Sequence, residues 1–150
     1  MSLIIRIAET RDIPLIQQIE AISYDDPWPN NLFYLLQSRS PDLFLVATYD
    51  GEIIGYAIGE IEDDVKGSIG HIVNIAVSAL WRRMRIGDRL LNDLERCFIE
   101  RGVTQVYLEV RVTNVGAQAL YKKRGYEIIK LLKSYYLNED GFYMEKSFKR

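Results

Sequence analysis

The runs IGHIVNIAV, Ile69–Val77, and GDRLLNDLERCFIE, Gly87–Glu100, decide the fold class. The first is β-rich. In the second the period turns helical: Leu90, Leu91, Leu94 and Phe98 follow an apolar stripe, and Gly102 is placed to stop the helix. Cys97 falls in that stretch and reads as packing rather than as a nucleophile. A strand therefore feeds a helix, through a turn that carries Arg82-Arg83-Met84-Arg85-Ile86-Gly87-Asp88.

Downstream, Gln105 to Val112 returns to alternation, and Asn114 is placed to cap a short helix that reaches Arg124 and stops at Gly125. A strand over Tyr126 to Lys133 and another over Phe142 to Phe148 close the chain. Upstream, Leu3 to Ile7 reads as a first strand. Thr10 or Asp12, with Pro14, starts a helix carrying Ile13, Ile16, Ile19 and Ile22. Asp25-Asp26-Pro27-Trp28-Pro29-Asn30 breaks it, and a second helix holds Leu32, Phe33, Leu35 and Leu36 before Ser40-Pro41. Leu43 to Tyr49 and Glu52 to Ile61 form a hairpin, because Asp50-Gly51 supplies the positive φ of a two-residue turn. The order predicts a mixed α/β sheet with helices on its faces. No repeat or linker interrupts residues 1–150, so a single domain is expected.

Composition narrows the function. At 150 residues and 48% hydrophobic content the chain can bury a core of its own. A net charge of -2 provides no global positive field for nucleic acid. Local basic clusters at Arg82, Arg83, Arg85 and at Lys122, Lys123, Arg124 suit a small polyphosphate better than a duplex, or are dispersed surface charge. One cysteine excludes an internal disulfide framework and fits a reducing compartment. No signal peptide or apolar span of roughly 20 residues is evident, so the expectation is a soluble, cytoplasmic protein with no membrane role.

Three segments carry candidate chemistry. The arginine turn stands where unpaired helix N–H groups and the positive dipole end favour an anion, and Gly87 permits close backbone approach. No Gly-Lys-Ser/Thr follows, which excludes a Walker-type loop. In Val106-Tyr107-Leu108-Glu109-Val110-Arg111-Val112, the valines and Leu108 share one face and Tyr107, Glu109 and Arg111 the other. Glu109 either transfers protons, pairs with Arg111 or faces solvent. Tyr121, two turns after Asn114, is a general acid or a core tyrosine. His71 is the only histidine; with no serine or cysteine partner suggested, it reads as structural.

Together these segments resemble the GNAT acetyltransferase superfamily, and within it the RimI-type and archaeal N-terminal protein acetyltransferases. The resemblance rests on His71-Ile72-Val73-Asn74-Ile75-Ala76-Val77 before the arginine turn. It rests also on Leu108-Glu109-Val110-Arg111 followed by Asn114, Ala117, Leu120-Tyr121 and Gly125-Tyr126, and on Ser134-Tyr135-Tyr136 with Glu139-Asp140-Gly141-Phe142-Tyr143-Met144. It implies a GNAT-like mixed sheet splayed between the fourth and fifth strands. Acetyl-CoA is the implied co-substrate, with no metal: its pyrophosphate on Arg83 to Asp88, with Arg82 beside them, and its pantetheine along Ile75, Ala76 and Val77.

The resemblance further implies that the Val77 N–H polarises the thioester carbonyl, that Asn114 contacts the cofactor, and that Glu109 is the base and Tyr121 the acid. Asp26, Trp28, Tyr135 and Tyr136 would line a peptide entrance. The implied acceptor is a protein N-terminus, with a monomer or homodimer both compatible. A lysine side chain, a polyamine or another small amine, or a non-catalytic acyl-CoA binder, are the alternatives. Two departures stand out. The family's phosphate turn reads Arg or Gln, two residues, Gly, one residue, Gly, whereas Arg85 takes the first glycine position, where it is expected in helical φ/ψ. Trp81 replaces a tyrosine and is expected to pack only.

Overall fold

The computed structural model describes residues 2–23, 28–65 and 67–148. The elements run β1 (Leu3–Ile7), α1 (Ile13–Ser23), α2 (Asn30–Arg39), β2 (Phe44–Tyr49), β3 (Glu52–Asp64), β4 (Gly67–Val77), α3 (Ile86–Glu100), β5 (Gln105–Arg111), α4 (Val115–Lys123), β6 (Glu127–Tyr136) and β7 (Glu139–Ser147). Short 3-10 turns precede α1, β2 and α3. The strands hydrogen-bond in the order β1-β2-β3-β4-β5-β7-β6, giving the expected mixed α/β sheet. Backbone contacts divide the chain into two compact units, Met1–Gly59 with Asn74–Cys97, and Glu60–Val73 with Phe98–Arg150.

In the first unit the β2–β3 hairpin turns as expected, at Asp50 (φ 49) and Gly51 (φ 86). Phe44 to Thr48 are all buried, and the Phe33 ring of α2 packs against Phe44 and Tyr56. The start of α1 is fixed by a side chain: Asp12 accepts the Glu9 N–H at 2.7 Å and a two-pronged contact from Arg6. Ile13 and Ile16 are fully buried, but Ile22 is 80% exposed, against expectation. Nine residues at about 100° each place it roughly opposite Ile13. Glu20, two turns after Ile13, takes the inward position. Leu35 is likewise exposed, while its neighbours Phe33 and Leu36 fill the inner stripe of α2.

The second unit is built around β5, whose alternating burial matches its sequence alternation: Val106, Leu108 and Val110 are buried. β4 and β5 pair in parallel from Ile69↔Gln105 to Ile72↔Leu108; β5 then continues to Arg111. β5 and β7 pair antiparallel, with Glu109 opposite Tyr143, and β6 pairs with β7. β6 runs three residues beyond the expected Lys133, to Tyr136, and β7 starts at Glu139. Gly102 (φ 82) and Gly125 (φ 97) stand just beyond α3 and α4 as helix stops. Among the described residues no helix is long and apolar enough to cross a membrane.

Candidate active site

In the first unit, the end of β4 leads directly into the arginine turn. Ser78 N–H donates to the Ile54 carbonyl at 2.7 Å, and Arg82 Nε donates to the Val77 carbonyl at 3.1 Å, tying turn to strand. Trp81 packs its ring 4.7 Å from that of Tyr49. Arg83 (φ 66) and Arg85 (φ 62) are both left-handed. Arg85 therefore does not adopt the helical φ expected of it. It is the residue on which α3 begins: its carbonyl accepts from Arg89 N–H at 3.0 Å, while its own φ turns the chain into the helix. A non-glycine residue there costs about 1 to 2 kcal/mol.

Arg82, Arg83, Met84 and Arg85 are exposed, Ile86 is buried, and Gly87 and Asp88 are half-buried. The first N–H groups of α3 have no intrahelical acceptor. Three exposed guanidinium groups at the positive end of a 15-residue helix suit a diphosphate. The residues at this turn therefore fit the phosphates of a coenzyme.

A buried polar cluster behind β4 escaped the sequence reading. Glu20, 2% exposed, accepts from the Tyr56 hydroxyl at 2.6 Å, from Asn74 Nδ2 at 2.7 Å and from the Trp28 N–H at 3.1 Å. Asn74 in turn accepts the N–H of Ile75 at 2.9 Å through Oδ1. The helical spacing of Glu20 from Ile13 was the available signal. Trp28 is half-buried, its ring 5.3 Å from Phe33; Asp26 lies outside the described residues.

In the second unit, His71 lies inside β4, and its Nε2 is 2.8 Å from Glu109 Oε1; the two side chains are 18% and 15% exposed. Neither structural alternative for Glu109 holds. Arg111 instead contacts Glu139 at 3.3 Å and covers the Tyr136 ring at 4.2 Å. His71 thus has an acid partner that strand register supplies and spacing along the chain does not reveal. Its ring stacks on Tyr107, centroids 4.3 Å apart.

Asn114 caps α4, its Oδ1 accepting from Ala117 N–H at 3.1 Å. Tyr121 is buried, packed edge-on to Tyr126 at 5.8 Å. Tyr135 and Tyr136 meet edge-on at 5.0 Å near the β6–β7 turn. Burial, and then the Glu109 charge, push the Tyr135 hydroxyl up. Glu139 anchors this turn to the segment before α4, accepting from Thr113 Oγ1 at 2.7 Å and Thr113 N–H at 3.1 Å. Those Thr113 bonds, ahead of Arg111, hold the Glu139 carboxyl below the usual range.

A strand ending in an arginine turn on a helix N-terminus, and a His–Glu pair where a parallel pairing stops, coincide with a match of residues 13–126 to the family described as Acetyltransferase (GNAT) family. The chain belongs to the GNAT family. This GNAT protein is accordingly an acyltransferase. It is 35% identical over 149 residues to an N-alpha-acetyltransferase of Sulfolobus acidocaldarius, with 93% of this chain and 89% of the relative covered. It is 32% identical over 133 residues to the [ribosomal protein bS18]-alanine N-acetyltransferase of Escherichia coli K12, covering 89% and 86%. The crystal structure of Ard1 from Thermoplasma volcanium superposes with a TM-score of 0.92 at 26% identity, covering all of both chains.

Proposed function

We propose that residues 1–150 form one GNAT-like domain that transfers an acetyl group from acetyl-CoA directly to the N-terminal α-amine of a protein, such as a ribosomal protein, in the cytoplasm. The match across residues 13–126, which includes parts of both units, supports the single domain. Relatives that cover most of this chain and act, by name, on protein N-termini support the acceptor.

The observation that carries the chemistry is the His71–Glu109 pair. Glu109 follows directly on the last parallel pair of β4 with β5, Ile72↔Leu108, and its carboxylate has an imidazole 2.8 Å away. A carboxylate so placed takes a proton from the incoming ammonium through water, and His71 shares that proton across the 2.8 Å contact. An α-amine suits this base, since its reference pKa of about 8 is roughly two units below that of lysine.

The freed nitrogen attacks the thioester carbonyl carbon, a C–N bond forms and the C–S bond breaks. The Val77 N–H supports the developing oxyanion, a contribution of about 10² to 10³ in rate. Tyr121 gives its hydroxyl proton to the departing thiolate, and the amide nitrogen sheds its second proton to solvent. Ile75, Ala76 and Val77 hold the pantetheine; Arg82 to Asp88 hold the phosphates; Asn114, whose Oδ1 is spent on its helix, offers its amide nitrogen to the cofactor. Trp28, Tyr135 and Tyr136 contact the acceptor peptide.

A peptide panel varying the first residue, run beside N-terminally blocked peptides containing lysine, tests the reading by mass shift. Acetylation of free N-termini alone is expected. Modification of the blocked peptides alone would move the acceptor to lysine, and bound acetyl-CoA without turnover on any amine would make the protein a binder.

A further inference from the structure

We propose that Tyr107 is a positioning residue that holds the His71 imidazole in the plane needed to meet Glu109. The inference rests on the proposed role of that pair. Register puts the two rings side by side: His71 on β4 is the direct partner of Tyr107 on β5. Their rings stack with an interplanar angle of 6°. On the next strand over, Tyr143 of β7 continues the row, 5.4 Å from Tyr107 and inclined by 22°. Tyr107 is also tethered at its far end, where its hydroxyl donates to Glu62 Oε2 of β3.

A histidine ring turns in a broad torsional well, so a single contact to Glu109 leaves its plane loosely set. A parallel aromatic face removes that freedom. Offset stacking of this kind contributes about 0.5 to 1.5 kcal/mol, and small misplacements of a reacting group carry large rate penalties. Burial first, then the bond to Glu62, push the Tyr107 hydroxyl well above its ordinary value, so the face offered to His71 stays neutral through the working pH range. Tyr143, pushed up to about 12 chiefly by burial, does the same for Tyr107. The charged groups around this row are Glu62, Glu109, Glu145, which accepts from the Tyr143 hydroxyl, and Lys130, 5.2 Å over the Tyr143 ring.

The chain has one histidine, so its imidazole C–H signals are unique in an NMR spectrum. In the parent protein they are expected to be shifted upfield by the Tyr107 ring current. Tyr107→Leu should move them to ordinary positions, alter the pH profile of turnover and lower kcat about 10-fold or more, the scale on which supporting residues act, while acetyl-CoA affinity stays within about twofold. Tyr107→Phe keeps the stack and loses only the tether; it should restore most of kcat and of the upfield shift, which separates positioning from misfolding. In a His71→Ala background, Tyr107→Leu should cost nothing further. An additive loss there, or an unmoved imidazole signal in Tyr107→Leu, overturns the proposal. Full turnover in His71→Ala overturns the shared role of the His71–Glu109 pair instead, leaving Glu109 as the base alone, and the NMR shift still reports whether Tyr107 holds the ring.

Discussion

Arg6 grips Asp12 with both terminal nitrogens, at 2.7 and 3.0 Å, and the aspartate side chain that receives them is 6% exposed at the head of α1. The hydrogen bonds from Arg6, opposed by burial and aided by the Glu9 N–H, hold the Asp12 carboxyl below its ordinary value. A depressed folded value contributes stability above the unfolded value of about 3.9, and that contribution disappears as pH falls through the lower folded one. Asp12→Asn should therefore destabilise the protein by about 1 to 3 kcal/mol at pH 7 and by much less at pH 2. Urea midpoints at the two pH values measure this; an equal difference at both would show that charge plays no part.

Gly55 on β3 is pressed against the segment that leads into the arginine turn. A Cβ there would meet the Ala76 carbonyl oxygen at 3.0 Å, Leu90 Cδ1 at 3.3 Å and Val77 Cγ2 at 3.4 Å. The nearest atom is backbone, so β4 must give way by a few tenths of an ångström. Gly55→Ala is expected to cost about 1 to 3 kcal/mol in thermal unfolding and to raise KM for acetyl-CoA, since Ala76 and Val77 are the residues displaced. Loss of stability with unchanged KM would place the cofactor elsewhere.

Arg85 sets a backbone cost against a charge. Glycine at φ 62 would remove about 1 to 2 kcal/mol of strain, offset by about 0.5 to 1 kcal/mol of extra chain entropy in the unfolded state. The exposed guanidinium is worth about 0.2 to 1 kcal/mol toward an anion. Arg85→Gly should thus melt at or slightly above the parent temperature yet bind acetyl-CoA about two- to fivefold more weakly by isothermal titration, a gap that narrows in high salt. Unchanged affinity would remove Arg85 from the phosphate site.

Local chemistry made much of this legible from the sequence. Asp50-Gly51 named its turn, the leucines and Phe98 named the inner face of α3, and alternation along β5 separated Glu109 from the core valines. Asn114 declared its cap by position alone. What stayed hidden depended on contacts between segments. His71 and Glu109 are 38 residues apart and meet only through parallel register. Glu20 gathers donors from β3, β4 and the segment before α2. The left-handed turn at Arg83 and Arg85 was masked because arginine rarely takes φ values that glycine announces.

The pairing of His71 with Glu109 implies that their contributions are not independent. Glu109→Gln removes the proton acceptor and should lower kcat by about 10² or more, with acetyl-CoA affinity nearly intact. His71→Gln leaves the carboxylate in place without its partner and should cost less. If both act on one proton, the double variant falls no further than Glu109→Gln alone, as expected of residues that work as a unit. Single-turnover rates with a free-N-terminal peptide measure the cycle at saturating acetyl-CoA. A double variant whose loss equals the product of the two single losses would assign His71 a task separate from Glu109, and the base would then be the carboxylate acting alone.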